Sequence, residues 1–89
     1  MLVPSFSKQF KRDLKLMQKR GKDAEKFKVV AELLIEQKAL APSYKNHKLS
    51  GNYAGRWECH LQPDWLLVYK LSATDIVFER TGTHMDLFD

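Results

Sequence analysis

The fifteen residues from Arg56 to Lys70, RWECHLQPDWLLVYK, constrain the fold more than any other stretch of this chain. They read as a β-hairpin: two extended runs of alternating side chains joined at Gln62-Pro63-Asp64, where Pro removes a ladder donor and Asp favours a turn. In the first run Trp57, Cys59 and Leu61 share one face, and Arg56, Glu58 and His60 the other. The second run is apolar on both faces, with Trp65, Leu67, Tyr69 and Leu71 on one side and Leu66 and Val68 on the other. A strand of that kind belongs in the middle of a sheet. His60 therefore ends a strand whose neighbour is held in register by a core, and Asp64 sits in the turn beside it.

The rest of the chain supplies what such a hairpin packs against. Leu2-Val3 before Pro4 fits a short edge strand, where Pro is tolerated. Ser5 or Ser7 caps a helix to about Arg20, with Phe10, Leu14 and Met17 on one stripe. Gly21 suits its C-terminal end. Asp23 caps a second helix to about Gln37, striped by Phe27, Val30, Ala31, Leu34 and Ile35. The connection is short, so the pair forms an antiparallel helical hairpin. Residues 44–55 are rich in turn formers. Ile76 to Thr81 reads as a third strand after the hairpin, with Glu79 and Arg80 on opposite faces. The expected order is β-α-α-β-β-β. This is an α+β fold, a helical hairpin on one face of a small, mostly antiparallel sheet whose second face is left open.

At 89 residues the chain reads as one domain spanning 1–89. No apolar run approaches the length of a membrane span and no signal peptide is recognisable, so a cytoplasmic protein without membrane contact is expected. The single cysteine, Cys59, allows no internal disulfide and fits a reducing compartment. It lies on the apolar strand face, as a small core residue rather than a nucleophile. Neither Cys nor His spacing matches a zinc site. No metal or other cofactor is expected.

Charge is distributed unevenly. The net charge is +4, but residues 1–28 carry nine Lys/Arg against three Asp/Glu, and the remainder six against eight. The basic surface thus belongs to the first third of the chain, on Lys8, Lys11, Arg12, Lys15, Lys19 and Arg20. Any one of these lysines is an ordinary solvated helix residue. As a cluster they suit a polyanionic or acidic partner, nucleic acid among them.

The histidines lie elsewhere, all in the second half. His47 precedes the hairpin, His60 is on it and His84 follows the last strand. In adjacent strands these positions can converge on one sheet face, with Arg80 among them. Histidine moves protons near neutral pH, and arginine stabilises a phosphate that gains negative charge. Two proton-transfer groups and a guanidinium suffice for metal-free cleavage of RNA by its own 2′-hydroxyl. A histidine taken singly is more often a surface or turn residue, Asp64 alone is an ordinary turn residue, and Trp57 and Trp65 are core.

Certain runs are more specific. His47-Lys48-Leu49-Ser50-Gly51, Arg56-Trp57-Glu58-Cys59-His60, Pro63-Asp64-Trp65-Leu66-Leu67-Val68-Tyr69, Glu79-Arg80-Thr81-Gly82-Thr83-His84 and the closing Leu87-Phe88 together resemble the YafQ toxins, a branch of the RelE/ParE superfamily of toxin–antitoxin modules. The resemblance covers nearly the whole chain. It implies a microbial-RNase-like fold and a ribosome-dependent mRNA endonuclease that uses no metal. It maps functional positions onto His47, His60, Asp64, Arg80, His84 and Phe88. On that mapping His84 is the choice for general acid, His60 with Asp64 for the base side, Arg80 for transition-state stabilisation and Phe88 for ordering the site or stacking on a base. The resemblance leaves open which imidazole is acid and which is base, and His47 fits either role or phosphate binding. It also implies an acidic antitoxin carrying a DNA-binding domain, with the ribosome and mRNA as further partners. Two alternatives remain: a toxin of the same fold that binds DNA gyrase, against which His60, Arg80 and His84 argue, and a non-catalytic basic RNA-binding module. Within the tail, Leu87 is expected to anchor the chain and Phe88 to lie beside His84, four residues earlier, where its ring can stack on a splayed base.

Overall fold

The computed structural model describes residues 1–88. Strand β1 (Val3–Phe6) leads into helix α1 (Lys8–Lys19) and helix α2 (Ala24–Ile35). Strands β2 (His47–Lys48), β3 (Trp57–Gln62), β4 (Trp65–Leu71) and β5 (Asp75–Gly82) follow, and helix α3 (His84–Phe88) closes the described chain. The five strands form one sheet in the order β1-β5-β4-β3-β2, with only β1–β5 parallel. The doubly apolar run thus takes the central position, flanked on both sides. Two elements depart from the expected β-α-α-β-β-β order: the two-residue strand at His47 and the short helix after Gly82. Both are too short to leave a periodic pattern in the sequence.

Local chemistry accounts for the helix starts. Ser7, not Ser5, caps α1, its hydroxyl accepting from the Phe10 N–H (2.9 Å) and donating to the Glu79 carbonyl (2.8 Å). One side chain thereby starts the helix and ties it to β5. Asp23 caps α2 through the Glu25 N–H at 3.0 Å. Gly21 takes φ +90° just past α1, a conformation a Cβ would oppose.

Both helices cover one sheet face. Phe10, Met17, Phe27, Val30 and Leu34 meet Cys59, Leu61, Trp65, Leu67, Tyr69, Ile76 and Phe78 in the main core. The Phe27 ring joins the helices to the sheet, 5.1 Å from the Phe10 ring and 5.2 Å from Phe78 between centroids. Such aromatic pairs contribute about 0.5–1.5 kcal/mol each beyond their burial. The Trp65 indole donates to the Thr81 hydroxyl (2.8 Å), which donates to the Leu66 carbonyl (2.7 Å), so two buried polar groups are satisfied at once. Cys59 is wholly buried, and desolvation pushes its thiol up to about 12, which keeps it protonated and inert.

The opposite face is not bare, in contrast to the open face expected from the sequence. Leu66, Val68 and Leu87 form a second small cluster, with Leu49 packed against it. α3 and the loop after β2 thus cover part of the central strand. What they leave uncovered is the candidate site.

Candidate active site

Register assembles the site row by row. His47 lies opposite Glu58, Glu58 opposite Val68, and Val68 opposite Arg80, one line of residues across four strands. The next row runs from His60 to Leu66 to Gly82. Directly opposite residues in a ladder share a face. His47, Glu58, His60 and Arg80 therefore all occupy the face away from the helical pair, around an apolar floor of Leu66 and Val68.

Arg80 reaches that face because of a bulge. Strict alternation from Ile76 and Phe78 would turn Arg80 into the main core and Thr81 out of it. The ladder instead pairs Tyr69 with Phe78 and Val68 with Arg80, leaving Glu79 as the extra residue. Arg80 is thereby placed opposite Val68 while Thr81 enters the core, where it is 1% exposed. The displaced Glu79 ion-pairs with Arg56.

Two carboxylates organise the imidazoles. Asp64, in the hairpin turn, accepts from both the His84 backbone N–H (3.0 Å) and ring Nδ1 (2.7 Å). Those bonds, the backbone one foremost, hold the Asp64 carboxyl below its usual range. An ionised carboxylate only accepts, so Nδ1 carries the proton and Nε2 is the nitrogen that faces outward. Glu58 is buried at 5% exposure, with one oxygen 3.4 Å from His47 Nε2 and 3.6 Å from His60 Nε2. The His60 and His84 rings lie edge to face, 5.7 Å apart between centroids. Sequence pairing of Asp64 with His60 is replaced by Asp64 on His84 and Glu58 on His60.

α3 is fixed at three points. Leu87 is buried beneath it, the Tyr53 hydroxyl donates to the Leu87 carbonyl at 3.3 Å, and Arg20, at the C-terminal cap of α1, pairs with Asp86 at 2.8 Å. Asp86 also accepts from the Thr83 N–H (2.9 Å); that bond first, and Arg20 second, hold its carboxyl below the usual range. Gly82 makes this fold-back possible, since a Cβ there would lie 2.9 Å from Asp86 Cβ. Phe88 stays exposed, its ring edge-on to Tyr53 at 5.3 Å.

Arg80 is held from α1. Asp13 accepts from Arg80 Nε (2.7 Å) and Nη2 (3.4 Å), and from the Thr81 N–H (3.2 Å) that no strand satisfies beyond the end of β1. Hydrogen bonding to Asp13 raises the guanidinium above its ordinary value. It stays charged at any working pH. Lys8, Lys11, Arg12, Lys15 and Lys19 remain on the exposed faces of α1, whereas Arg20 is engaged by Asp86.

Thus the structure brings His47, His60, Asp64, Arg80 and His84 to one face, with Phe88 at its rim on Tyr53. Sequence alone assigned no role to Glu58, Asp13 or Tyr53. Glu58 carried a signal, being two residues before His60 on the polar face of an otherwise apolar hairpin. Asp13 carried another, as an acid three residues after Phe10 and four before Met17 on the buried stripe. Tyr53, in a turn-rich loop, carried none.

Known proteins resemble this chain over nearly its whole length. The family model described as bacterial toxin of type II toxin-antitoxin system, YafQ, matches residues 2–89. The mRNA interferase toxin YafQ of Escherichia coli strain K12 is 46% identical over 84 residues, covering 93% of this chain and 91% of that protein. The crystal structure of YafQ from Escherichia coli BL21(DE3) superposes with a TM-score of 0.95 at 42% identity over the full length of both chains. YafQ in the Escherichia coli DinJ–YafQ complex gives 0.92 at 43% identity, again over both full lengths.

Proposed function

The chain belongs to the YafQ family of bacterial type II toxins, and from that premise we propose that the sheet face described above cleaves mRNA by acid–base catalysis on the ribosome. The protein is an endoribonuclease of the mRNA interferase kind. The observation that carries the mechanism is the approach of His60 and His84 to 5.7 Å, with Asp64 locked onto the second ring.

His60 takes the proton of the 2′-hydroxyl as that oxygen bonds to the adjacent phosphorus. The phosphorus–O5′ bond breaks, and the departing oxygen receives a proton from His84 Nε2. The products are a 2′,3′-cyclic phosphate and a 5′-hydroxyl. Asp64 suits His84 to the acid role, because a carboxylate on Nδ1–H fixes the ring and leaves Nε2 to meet the departing oxygen. Glu58 orients His60 from inside the sheet and reaches His47 as well. Arg80 meets the phosphate as its charge grows. Phe88, with Tyr53 behind it, offers an aromatic edge where an unstacked base can pack.

Lys8, Lys11, Arg12, Lys15 and Lys19 supply the grip on ribosomal RNA. The neutralising partner is a cognate antitoxin, acidic and carrying its own DNA-binding domain. The Escherichia coli DinJ–YafQ toxin–antitoxin complex supports an antitoxin partner, and the basic charge of this chain an acidic one. The test is cleavage of a ribosome-bound message with a single 2′-deoxy nucleotide at the scissile position. That message should resist cutting, and the unmodified one should leave a 2′,3′-cyclic or 3′-phosphate. Efficient cutting of the deoxy message would make water the nucleophile and remove His60 from its role.

A further inference from the structure

We propose that Asp13, on the basic helix α1 and outside the cluster of imidazoles, is a positioning residue that fixes the Arg80 guanidinium for catalysis. The inference rests on the endoribonuclease reading above and deepens it.

Asp13 is a carboxylate at 8% exposure on the stripe between Phe10 and Met17. Acidic side chains are rarely so buried unless paired. Its two oxygens receive four donors: Arg80 Nε (2.7 Å) and Nη2 (3.4 Å), the Thr81 N–H (3.2 Å), and Gln9 Nε2 (2.8 Å). Thr81 directly follows Arg80, so one carboxylate holds both the backbone at the bulge and the head group of the side chain. An arginine standing alone on a sheet face would sample many rotamers. This one is fastened at both ends of its length.

The way it is fastened matters for chemistry. A guanidinium has five N–H donors in a planar fork. Asp13 takes the Nε–Nη2 edge. Among the described residues no hydrogen bond is made by Nη1, so the remaining edge of the fork is available to two phosphate oxygens. Removing Asp13 would act in two directions. It would free the charge of Arg80, which favours ground-state attraction of any phosphate. It would also release the head group from its orientation, which costs the transition state, because a misplacement of about 1 Å costs roughly a hundredfold. Orientation dominates the chemical step. Substrate affinity should therefore stay level or improve while the rate falls.

The experiment compares single-turnover cleavage of a message on preassembled ribosomes by wild type, Asp13→Asn, Asp13→Ala, Arg80→Ala and the double variant Asp13→Ala/Arg80→Ala, each corrected for its folded fraction by circular dichroism. Asp13→Asn keeps an oxygen for the Thr81 N–H and is the variant least prone to unfold. Both Asp13 variants should cut about tenfold to a hundredfold more slowly, with the half-saturating ribosome concentration unchanged or lower. In the Arg80→Ala background, loss of Asp13 should cost less than about twofold, because a residue acting through another has nothing left to position. A second readout needs no cleavage: the Arg80 Nε–H proton should give a sharp, slowly exchanging NMR signal in wild type and lose it in Asp13→Ala. Wild-type rates in the Asp13 variants, additive losses in the double variant, or an Arg80 signal indifferent to Asp13 would each overturn the proposal. Absence of cutting by wild type would instead overturn the endoribonuclease reading, while the NMR measurement would still decide whether Asp13 fixes Arg80.

Discussion

Asp64 holds His84 twice, accepting its backbone N–H at 3.0 Å and its ring Nδ1 at 2.7 Å on the same oxygen. The first bond starts α3 and the second orients a ring, so the hairpin turn sets both where the helix begins and what its first side chain can do. With Arg20–Asp86 two residues on in the same first turn, a short helix is kept against the sheet by carboxylates at the surface.

Acid should loosen α3 before the core. The carboxyls of Asp64 and Asp86 are both held below their usual range. A carboxyl depressed in the folded state contributes stability above its unfolded value, and that contribution is lost as pH falls through the folded one. The window therefore lies below about 4, the ordinary carboxyl range. NMR should show Asp64 and Asp86 titrating below free aspartate, and hydrogen exchange should show α3 amides losing protection while β4 retains it. Simultaneous loss in both elements would mean that these bonds do not hold α3.

Glu58→Gln should retain the fold and lose rate. The carboxylate serves two imidazoles at 3.4 and 3.6 Å, and Gln keeps the shape without the charge. The single-turnover rate should drop by about tenfold or more, within the hundredfold or greater contribution of a positioned acid or base. A melting temperature near wild type would exclude unfolding as the cause. An unchanged rate would leave Glu58 a structural residue only.

Leu87 and Phe88 should separate. Leu87 is buried at 7% and Phe88 exposed at 41%, so Leu87 is the anchor, while the Phe88 ring packs edge-on to Tyr53. Leu87→Ala should cost about 2–3 kcal/mol of stability. Phe88→Ala should leave the melting temperature within a few degrees and weaken a base contact worth about 1–3 kcal/mol, read as slower cutting at low ribosome concentration. A large fall in melting temperature with normal cutting by the folded fraction would make Phe88 a clip.

Charge reversal of Lys11, Lys15 and Lys19 should weaken ribosome binding and flatten its salt dependence, because counterions released on contact with phosphates set that slope. The rate at saturating ribosome should hold. Arg20→Glu should behave differently, since Arg20 already pairs with Asp86: it should perturb α3 and therefore cutting. A rate loss in the lysine variant at saturation would place α1 in the chemistry rather than in the grip.

Much of this molecule was set locally. Capping by Ser7 and Asp23, the stripes of Phe10 and Phe27, and the turn at Pro63-Asp64 depend on residues within a few positions of one another, so the helical hairpin and the β-hairpin were legible from the chain. So was the central place of β4, because only a strand covered on both faces tolerates Leu66 and Val68 opposite Leu67 and Tyr69. The runs around His47, His60, Asp64, Arg80, His84 and Phe88 named candidates, and polar residues on an otherwise apolar hairpin pointed to one face.

Pairing among those candidates was decided only in three dimensions. Alternation along β5 directs Arg80 to the core, and the bulge at Glu79 reverses it, because the ladder to β4 must seat Thr81 beneath Trp65 while releasing a charge from the apolar side. Asp64 reached His84 across twenty residues, and Asp13 reached Arg80 across sixty-seven. A carboxylate shows in sequence only its spacing to near neighbours. Its partner is chosen by which buried or half-buried donors lack one after the sheet closes, and that depends on register, bulge and the packing of α1 against the end of β5.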